Sequence, residues 1–350
     1  ARVACVDCHV GSGANWYVKS KISGLYQVYA VTLGSYPQPI KTPISDLRPA
    51  RETCEKCHWP EKFYARKHRL ERHYLPDENN TEWDIVLQMK TGPQHAAMGL
   101  KEGIHWHINP DVRIEYLASR DREFIPWVRY TNVRTGEVYE YDLGENTLDQ
   151  SGRDTLELRT MDCMDCHNRP SHLYNPPMKF VNDALTVGKL PRNLPDIKMV
   201  AMQVLMVDFP TKDSAFRYID REVKGYYEVF YEDRMDELRA MVDASVSVLQ
   251  EEFSKNIFPY MRVNWETYPN HIGHLETEGC FRCHNGLHST SEGRVISMDC
   301  NLCHHITAQG FPDSMEVASV FGALEFVHPN DESGSWKDYK CSDCHRDLYK

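Results

Sequence analysis

The chain has 350 residues, 41% of them apolar and 26% charged, so it is long enough for two average domains but thinly supplied with core residues. Forty basic against fifty-one acidic residues leave a net charge of −11, which removes the electrostatic basis for nucleic-acid binding or a polybasic membrane-surface role. No window approaches the roughly 20 consecutive apolar residues of a bilayer-spanning helix. No basic, apolar and small-residue leader opens the sequence, so a mature or trimmed chain is expected.

In chain order, the sequence begins with Cys5-Val6-Asp7-Cys8-His9, and the same spacing returns from Cys54 through Cys57 to His58. Strands and loops are predicted between His58 and Cys163. Trp83 to Met89 and Phe124 to Tyr141 are rich in aromatic and β-branched residues, and Thr135-Gly136 marks a hairpin turn. The spacing appears again at Cys163, Cys166 and His167.

From Pro177 to Pro259 the periodicity is helical, with Leu238, Val242, Leu249 and Phe253 near one face. Met199, Met202 and Met206 read as core packing. The acidic, aromatic stretch Tyr226 to Asp236 is expected to buttress cofactors or to face a partner. Three more copies of the spacing close the chain: Cys280, Cys283 and His284; Cys300, Cys303 and His304; Cys341, Cys344 and His345. Ser291-Glu292-Gly293 marks a turn between the first two of these. The unequal intervals between copies exclude a tandem array.

All twelve cysteines thus fall into six identical Cys-x-x-Cys-His pentapeptides, where chance predicts roughly 0.02 in a chain of this composition. The pattern is the attachment signature of c-type haem. Cysteines three apart on one helical turn face the same way and can form thioethers to both vinyl groups of one macrocycle, and the next residue, histidine, binds the iron. Zinc ribbons do not require a histidine after every second cysteine, and a disulfide framework predicts varied spacings. Six covalent haems are therefore expected. Such chemistry belongs to an oxidising compartment, the periplasm or the cell exterior, and the rings themselves would supply much of the missing core.

Six histidines serve as proximal ligands: His9, His58, His167, His284, His304 and His345. That leaves His68, His73, His95, His105, His107, His172, His271, His274, His288, His305 and His328, enough to give every iron a second histidine. An iron so saturated carries electrons and leaves no position for substrate. The candidate distal ligands are His172, His274, His288, His328, His95, His105 and His107. His172 and His288 extend from segments already anchored by a motif. His68 and His73 lie among charged residues and read as a solvated face. His305 directly follows a proximal ligand and is not expected to reach another iron. No distal ligand is evident for the first haem.

Three segments resemble the NapC/NirT family of multihaem cytochromes. Cys54-Glu55-Lys56-Cys57-His58-Trp59-Pro60-Glu61-Lys62-Phe63 looks like that family's second motif. Cys163 to His172, Cys-Met-Asp-Cys-His-Asn-Arg-Pro-Ser-His, looks like its last, whose trailing histidine is an axial ligand. The opening motif with Trp16-Tyr17-Val18-Lys19-Ser20-Lys21 is similar to its first. The second half looks like longer relatives in metal-reducing bacteria. The family's membrane helix ahead of the first haem, and its methionine after the first motif, do not occur in this sequence.

The fold class that follows is a multihaem cytochrome c, α+β with much irregular structure around six covalent haems and no large regular sheet. Residues 1–175 form a NapC/NirT-like region with a strand-rich insert at about 80–145. A helical region without motifs spans 176–262, and 263–350 carry haems four to six. The resemblance implies electron transfer between a membrane quinol-linked donor and a periplasmic or extracellular acceptor, with any membrane tether lying outside this sequence. Electron transfer is favoured over catalysis. The alternatives are a subunit of an extracellular cytochrome filament, since motifs lie near both chain ends, and a reductase with an open first haem. Redox proteins are the expected partners, and the acidic surface suits a basic docking partner.

Overall fold

The computed structural model describes residues 4–9, 14–42, 50–58, 66–92, 103–144, 155–331 and 333–350. Its main apolar core is made by residues 177–256, which bury their own stripes against one another. Helix α5 (Pro177–Thr186) starts on a proline at N1, and α6 is Ile197–Leu205. Helix α7 (Lys212–Phe230) opens with a capping box in which the Thr211 and Ser214 side chains satisfy each other's backbone N–H groups. Helix α8 is Met235–Asn256. Ala215, Ile219, Val223 and Tyr227 recur every four residues on α7, and Leu238, Val242, Leu249 and Phe253 form the facing stripe on α8; all eight are 1% exposed or less. Met202 is buried with them, while Met199 and Met206 pack against the edge. Tyr226 and Tyr231 both donate to the Asp196 carboxylate, at 2.8 and 2.7 Å, so the aromatic stretch expected to buttress cofactors braces its own helical unit.

The strands form two antiparallel sheets. The first has the order β1 (Arg66–Tyr74), β2 (Glu82–Lys90), β7 (His304–Gly310) and β8 (Glu316–Val317). Its register pairs Arg72 with Asp84, which also form a bidentate ion pair at 2.9 and 2.7 Å. The second has the order β5 (Val138–Asp142), β4 (Trp127–Asn132), β3 (Val112–Ala118) and β6 (Glu157–Thr160). The β4–β5 hairpin turns at Thr135-Gly136, where Gly136 takes a left-handed φ of 75° that a side chain would oppose. A small core of Ile114, Tyr116, Ala118, Ile125 and Val128 backs this sheet. Because β2 pairs with β7, the first sheet joins residues from both sides of the division drawn at 263. A strand search between His58 and Cys163 misses β7, whose partner is more than two hundred residues away.

The motifs sit on short elements: α1 (Cys5–His9), α3 (Ala50–Cys54), α4 (Cys163–Cys166), α9 (Cys341–His345) and single 3₁₀ turns at Gly279–Arg282 and Cys300–Leu302. Helix α2 (Ala14–Thr32) follows the first motif; Ile22, Leu25, Tyr26, Val28 and Tyr29 on it are exposed. No helix among the described residues is long and apolar enough to cross a membrane.

Candidate functional site

Each motif sits on a tight turn. The histidine N–H donates to the carbonyl of the first cysteine at 2.8 Å in Cys54–His58, 2.8 Å in Cys163–His167 and 3.0 Å in Cys280–His284. One helical turn thereby puts two thiols and an imidazole on a common side. Sequence explains where these turns start. Asp162 caps Met164 N at 2.7 Å, while Asp165 accepts Asp162 N–H at 2.7 Å, and Asp343 likewise accepts Lys340 N–H at 3.0 Å. Asp299 caps Asn301 N at 2.8 Å before the fifth motif. Asp at the second variable position of motifs three and six is therefore part of the turn's own hydrogen bonding.

None of the twelve cysteines is paired in a disulfide. Five of the six motif histidines face a second histidine ring. Ring centroids are 6.3 Å apart for His9 and His172, 6.3 Å for His105 and His167, and 5.8 Å for His107 and His284. They are 6.3 Å apart for His274 and His304 and 5.9 Å for His328 and His345. Among the described residues no histidine ring contact is recorded at His58, and His95 lies outside them.

The protonation of these imidazoles suits a metal. Burial pushes His107 and His304 down to about 4, and it also lowers His105, His167, His274, His284 and His345, so all seven are neutral near pH 7 with a nitrogen lone pair to offer. In three of them Nδ1–H donates to a backbone carbonyl: His105 to Thr91 at 2.6 Å, His107 to Ile104 at 2.7 Å and His284 to Ser297 at 2.8 Å. That bond fixes the tautomer and leaves Nε2 as the ligating atom.

The fit to haem can be judged from these distances. Two metal–imidazole bonds of about 2 Å, plus about 1.1 Å from each nitrogen to its ring centre, place the centroids of a bis-histidine pair roughly 6 Å apart at any rotation about the axis. The observed pairs span 5.8 to 6.3 Å. Among the described residues no three His, Cys, Asp or Glu side chains converge as a multi-ligand ion site would need. The residues present thus fit one haem per motif.

The motifs adjoin one another in chain order from the second onward. Cys54 lies close to Cys163, which holds its thiol down to about 7. Burial pushes Cys166 up to about 12, with Cys280 and Cys283 adding to it. Burial likewise lifts Cys303 to about 11 beside Cys280, and Cys341 to about 11 beside Cys300. His172, five residues past motif three, reaches back to motif one.

Other histidines are held by protein. His288 departs from the expectation of a distal ligand: it is 0% exposed, its Nε2 donates to Ile125 O at 2.7 Å, and its Nδ1 lies 3.0 Å from the Asn285 side-chain amide. Both nitrogens are engaged, and the ring pins the loop after motif four to the second sheet. His271 is pinned similarly, between Asp165 O at 3.0 Å and Glu123 at 2.7 Å. His68 is exposed as expected. His73 is instead half-buried beside Asn182 of α5, and desolvation there pushes it down to about 4. His305 stands opposite Gln88 in the β2–β7 ladder. At motif one, where no distal ligand is evident from the sequence, the His172 ring stands 6.3 Å from that of His9.

The chain is 44% identical to the cytochrome c-type protein ImcH of Geobacter sulfurreducens over 350 residues, 99% of this chain and 67% of the relative, so it spans about two thirds of that protein's length. No protein-family model matches the chain, and no solved structure matches it.

Proposed function

The chain belongs to the c-type cytochromes, in the family of ImcH, and from that premise we propose that it holds six haems, five or more of them bis-histidine, and relays electrons along them. Covalent haem c, electron transfer and a haem domain outside the cytoplasm follow from the family. Bound haem supplies one-electron iron chemistry; the chain supplies attachment, axial ligands and spacing.

In this reading Cys5 and Cys8, Cys54 and Cys57, Cys163 and Cys166, Cys280 and Cys283, Cys300 and Cys303, and Cys341 and Cys344 form the thioethers. The axial pairs are His9 with His172, His167 with His105, His284 with His107, His304 with His274, and His345 with His328. His95, a candidate distal ligand from the sequence, lies outside the described residues, and His58 is left without an assigned distal ligand. The observation that carries the proposal is the set of five facing imidazole pairs at 5.8 to 6.3 Å. Iron ligated on both faces exchanges electrons without binding substrate. The adjacency of motifs two to six supports a continuous relay, joined by motif one through His172.

The resemblance to NapC/NirT cytochromes supports a membrane quinol-linked donor and a periplasmic or extracellular acceptor, and the net charge of −11 favours docking on a basic surface. Intact-mass measurement with optical and EPR spectroscopy tests the reading. The expected result is six added tetrapyrroles with mainly low-spin ferric signals. A bare polypeptide mass, or predominantly high-spin iron, would overturn it.

A further inference from the structure

The paired imidazoles are held in two different ways. At motifs three and four, three of the four donate from Nδ1 to a backbone carbonyl: His105 to Thr91 O at 2.6 Å, His107 to Ile104 O at 2.7 Å and His284 to Ser297 O at 2.8 Å. His105 and His107 stand on a single 3₁₀ turn, Ile104–Ile108, so one short element serves both sites. Ser297 lies in the loop that leads from motif four to motif five.

At motifs five and six no Nδ1 meets an acceptor among the described residues. Nδ1 of His274, His304 and His345 is shut off from solvent with no hydrogen-bond partner, and His328 Nδ1 lies 3.4 Å from a donor, the Asn330 N–H. Aromatic rings orient imidazoles here instead. Phe281 stacks on His274, with centroids 4.5 Å apart and planes at 17°, and Phe326 meets His328 edge-on at 6.1 Å. A buried N–H without an acceptor costs stability, so three of them in neighbouring sites call for a reason in the chemistry.

An axial imidazole whose Nδ1–H donates to a carbonyl gains negative charge on the ring, becomes a stronger base at Nε2 and favours ferric over ferrous iron. An Nδ1–H without an acceptor gives the ferric state no such support. We propose that hydrogen bonding at Nδ1 divides the relay into low-potential sites at motifs three and four and high-potential sites at motifs five and six, so that electrons run downhill from residues 163–284 into 300–345. The inference rests on haem attachment and on the axial pairs as read above. Between motifs four and five one electron passes, oxidising ferrous iron at the first and reducing ferric iron at the second; no proton moves and no N–H bond breaks. Motifs three and five make the cleanest comparison. Their ring pairs, His105 with His167 at 5° and His274 with His304 at 24°, both lie near parallel, so ring orientation is nearly matched and the Nδ1 bond is the difference.

The test is an EPR-monitored potentiometric titration of the purified haem-loaded protein. His105→Ala, His107→Ala and His274→Ala each remove one low-spin signal and so assign the wild-type signals of motifs three, four and five. The expected result is that motif five takes up its electron at a higher potential than the other two, with about tenfold greater electron affinity for each hydrogen bond that separates the sites, or about 59 mV per bond. Pulsed EPR of the same ferric signals should show the Nδ1 coupling of a hydrogen-bonded imidazole at motifs three and four and of an unbonded one at motif five. A motif-five potential at or below either of the others would overturn the inference, as would equal Nδ1 couplings at all three. Where an alanine variant does not mature, His105→Met, His107→Met or His274→Met keeps a sixth ligand and removes the same bis-histidine signal. Peptide masses lacking haem at these motifs, or high-spin iron there in the wild type, would overturn the axial reading together with the inference, whereas low-spin haems with potentials in the opposite order overturn the inference alone.

Discussion

Asp165 occupies the second variable position of the third motif, and its carboxylate accepts Tyr116 O–H at 2.5 Å, Arg122 N–H at 3.0 Å and the Asp162 N–H at 2.7 Å. It is 2% exposed, and its charge is met by these partners together with Arg159, whose Nε lies 3.5 Å away. Asp165→Ala leaves the nearly buried Arg122 without its counter-charge and should cost about 3–5 kcal/mol in urea unfolding; a loss under about 1 kcal/mol would show that the network is solvent-screened. His107 makes a sharper test of the axial assignments. Its replacement by alanine should convert one haem to high spin in EPR and leave the others low spin, whereas an unchanged spectrum would remove it from the ligand set. At this scale the sequence named candidate residues but not how each side chain is engaged. His288 lies four residues past His284, which suggested reach toward iron, yet Asn285 and Ile125 take both of its nitrogens. His73 looked solvated because its sequence neighbours are charged, but strand neighbours point to opposite faces, and its own side turns toward Asn182.

The elements differ in what holds them. Helices α7 and α8 bury complementary stripes at four-residue spacing, which periodicity predicts directly because both partners repeat on the same helical pitch. Phe253 is fully buried on α8 and stacks edge-on against Phe209 at 5.9 Å. Phe253→Ala should cost about 3–5 kcal/mol in thermal or urea unfolding while leaving haem stoichiometry and spin state unchanged; loss of haem in the folded variant would show that the helical unit holds cofactor rather than only itself. The motif-bearing turns are the opposite case. They are one turn long, too short to persist unaided in water, and stand on capping carboxylates and side-chain ties. Lys340, just ahead of the sixth motif, and Ser342 within it both reach Glu278, for example, at 2.7 and 3.2 Å. The β4–β5 hairpin was legible from Thr135-Gly136, but the β2–β7 pairing was not, since no turn signal links strands so far apart.

Across the whole molecule, apolar burial is uneven: the main core draws on residues 178–253 and Tyr74, while 263–350 contribute few buried apolar side chains beyond Val263, Trp265, Tyr268 and Ile306. Covalent rings would complete that second region. Chain matured without haem should therefore yield, on limited proteolysis, a surviving fragment near 177–256 and early cuts in 263–350, whereas the haem-loaded protein should resist in both; equal resistance of both regions in the haem-free chain would contradict this division of the core. The Lys198 ammonium, buried on α6, adds a pH signature at the same scale. Its folded value of about 7 lies below the ordinary 10.5, so the unfolded chain binds more protons between these values and stability should rise with pH across that window, a rise that Lys198→Met removes in pH-dependent urea unfolding. By itself the sequence determined the attachment chemistry and the helical stripe, because a pentapeptide on one turn and a repeat on one helix are local geometries fixed by a few consecutive dihedrals. Only the tertiary structure decided which histidine faces which, because His9 meets His172 and His107 meets His284 across more than 160 residues of chain, and nothing in either segment's local pattern specifies a partner that arrives through the packing of all the elements between them.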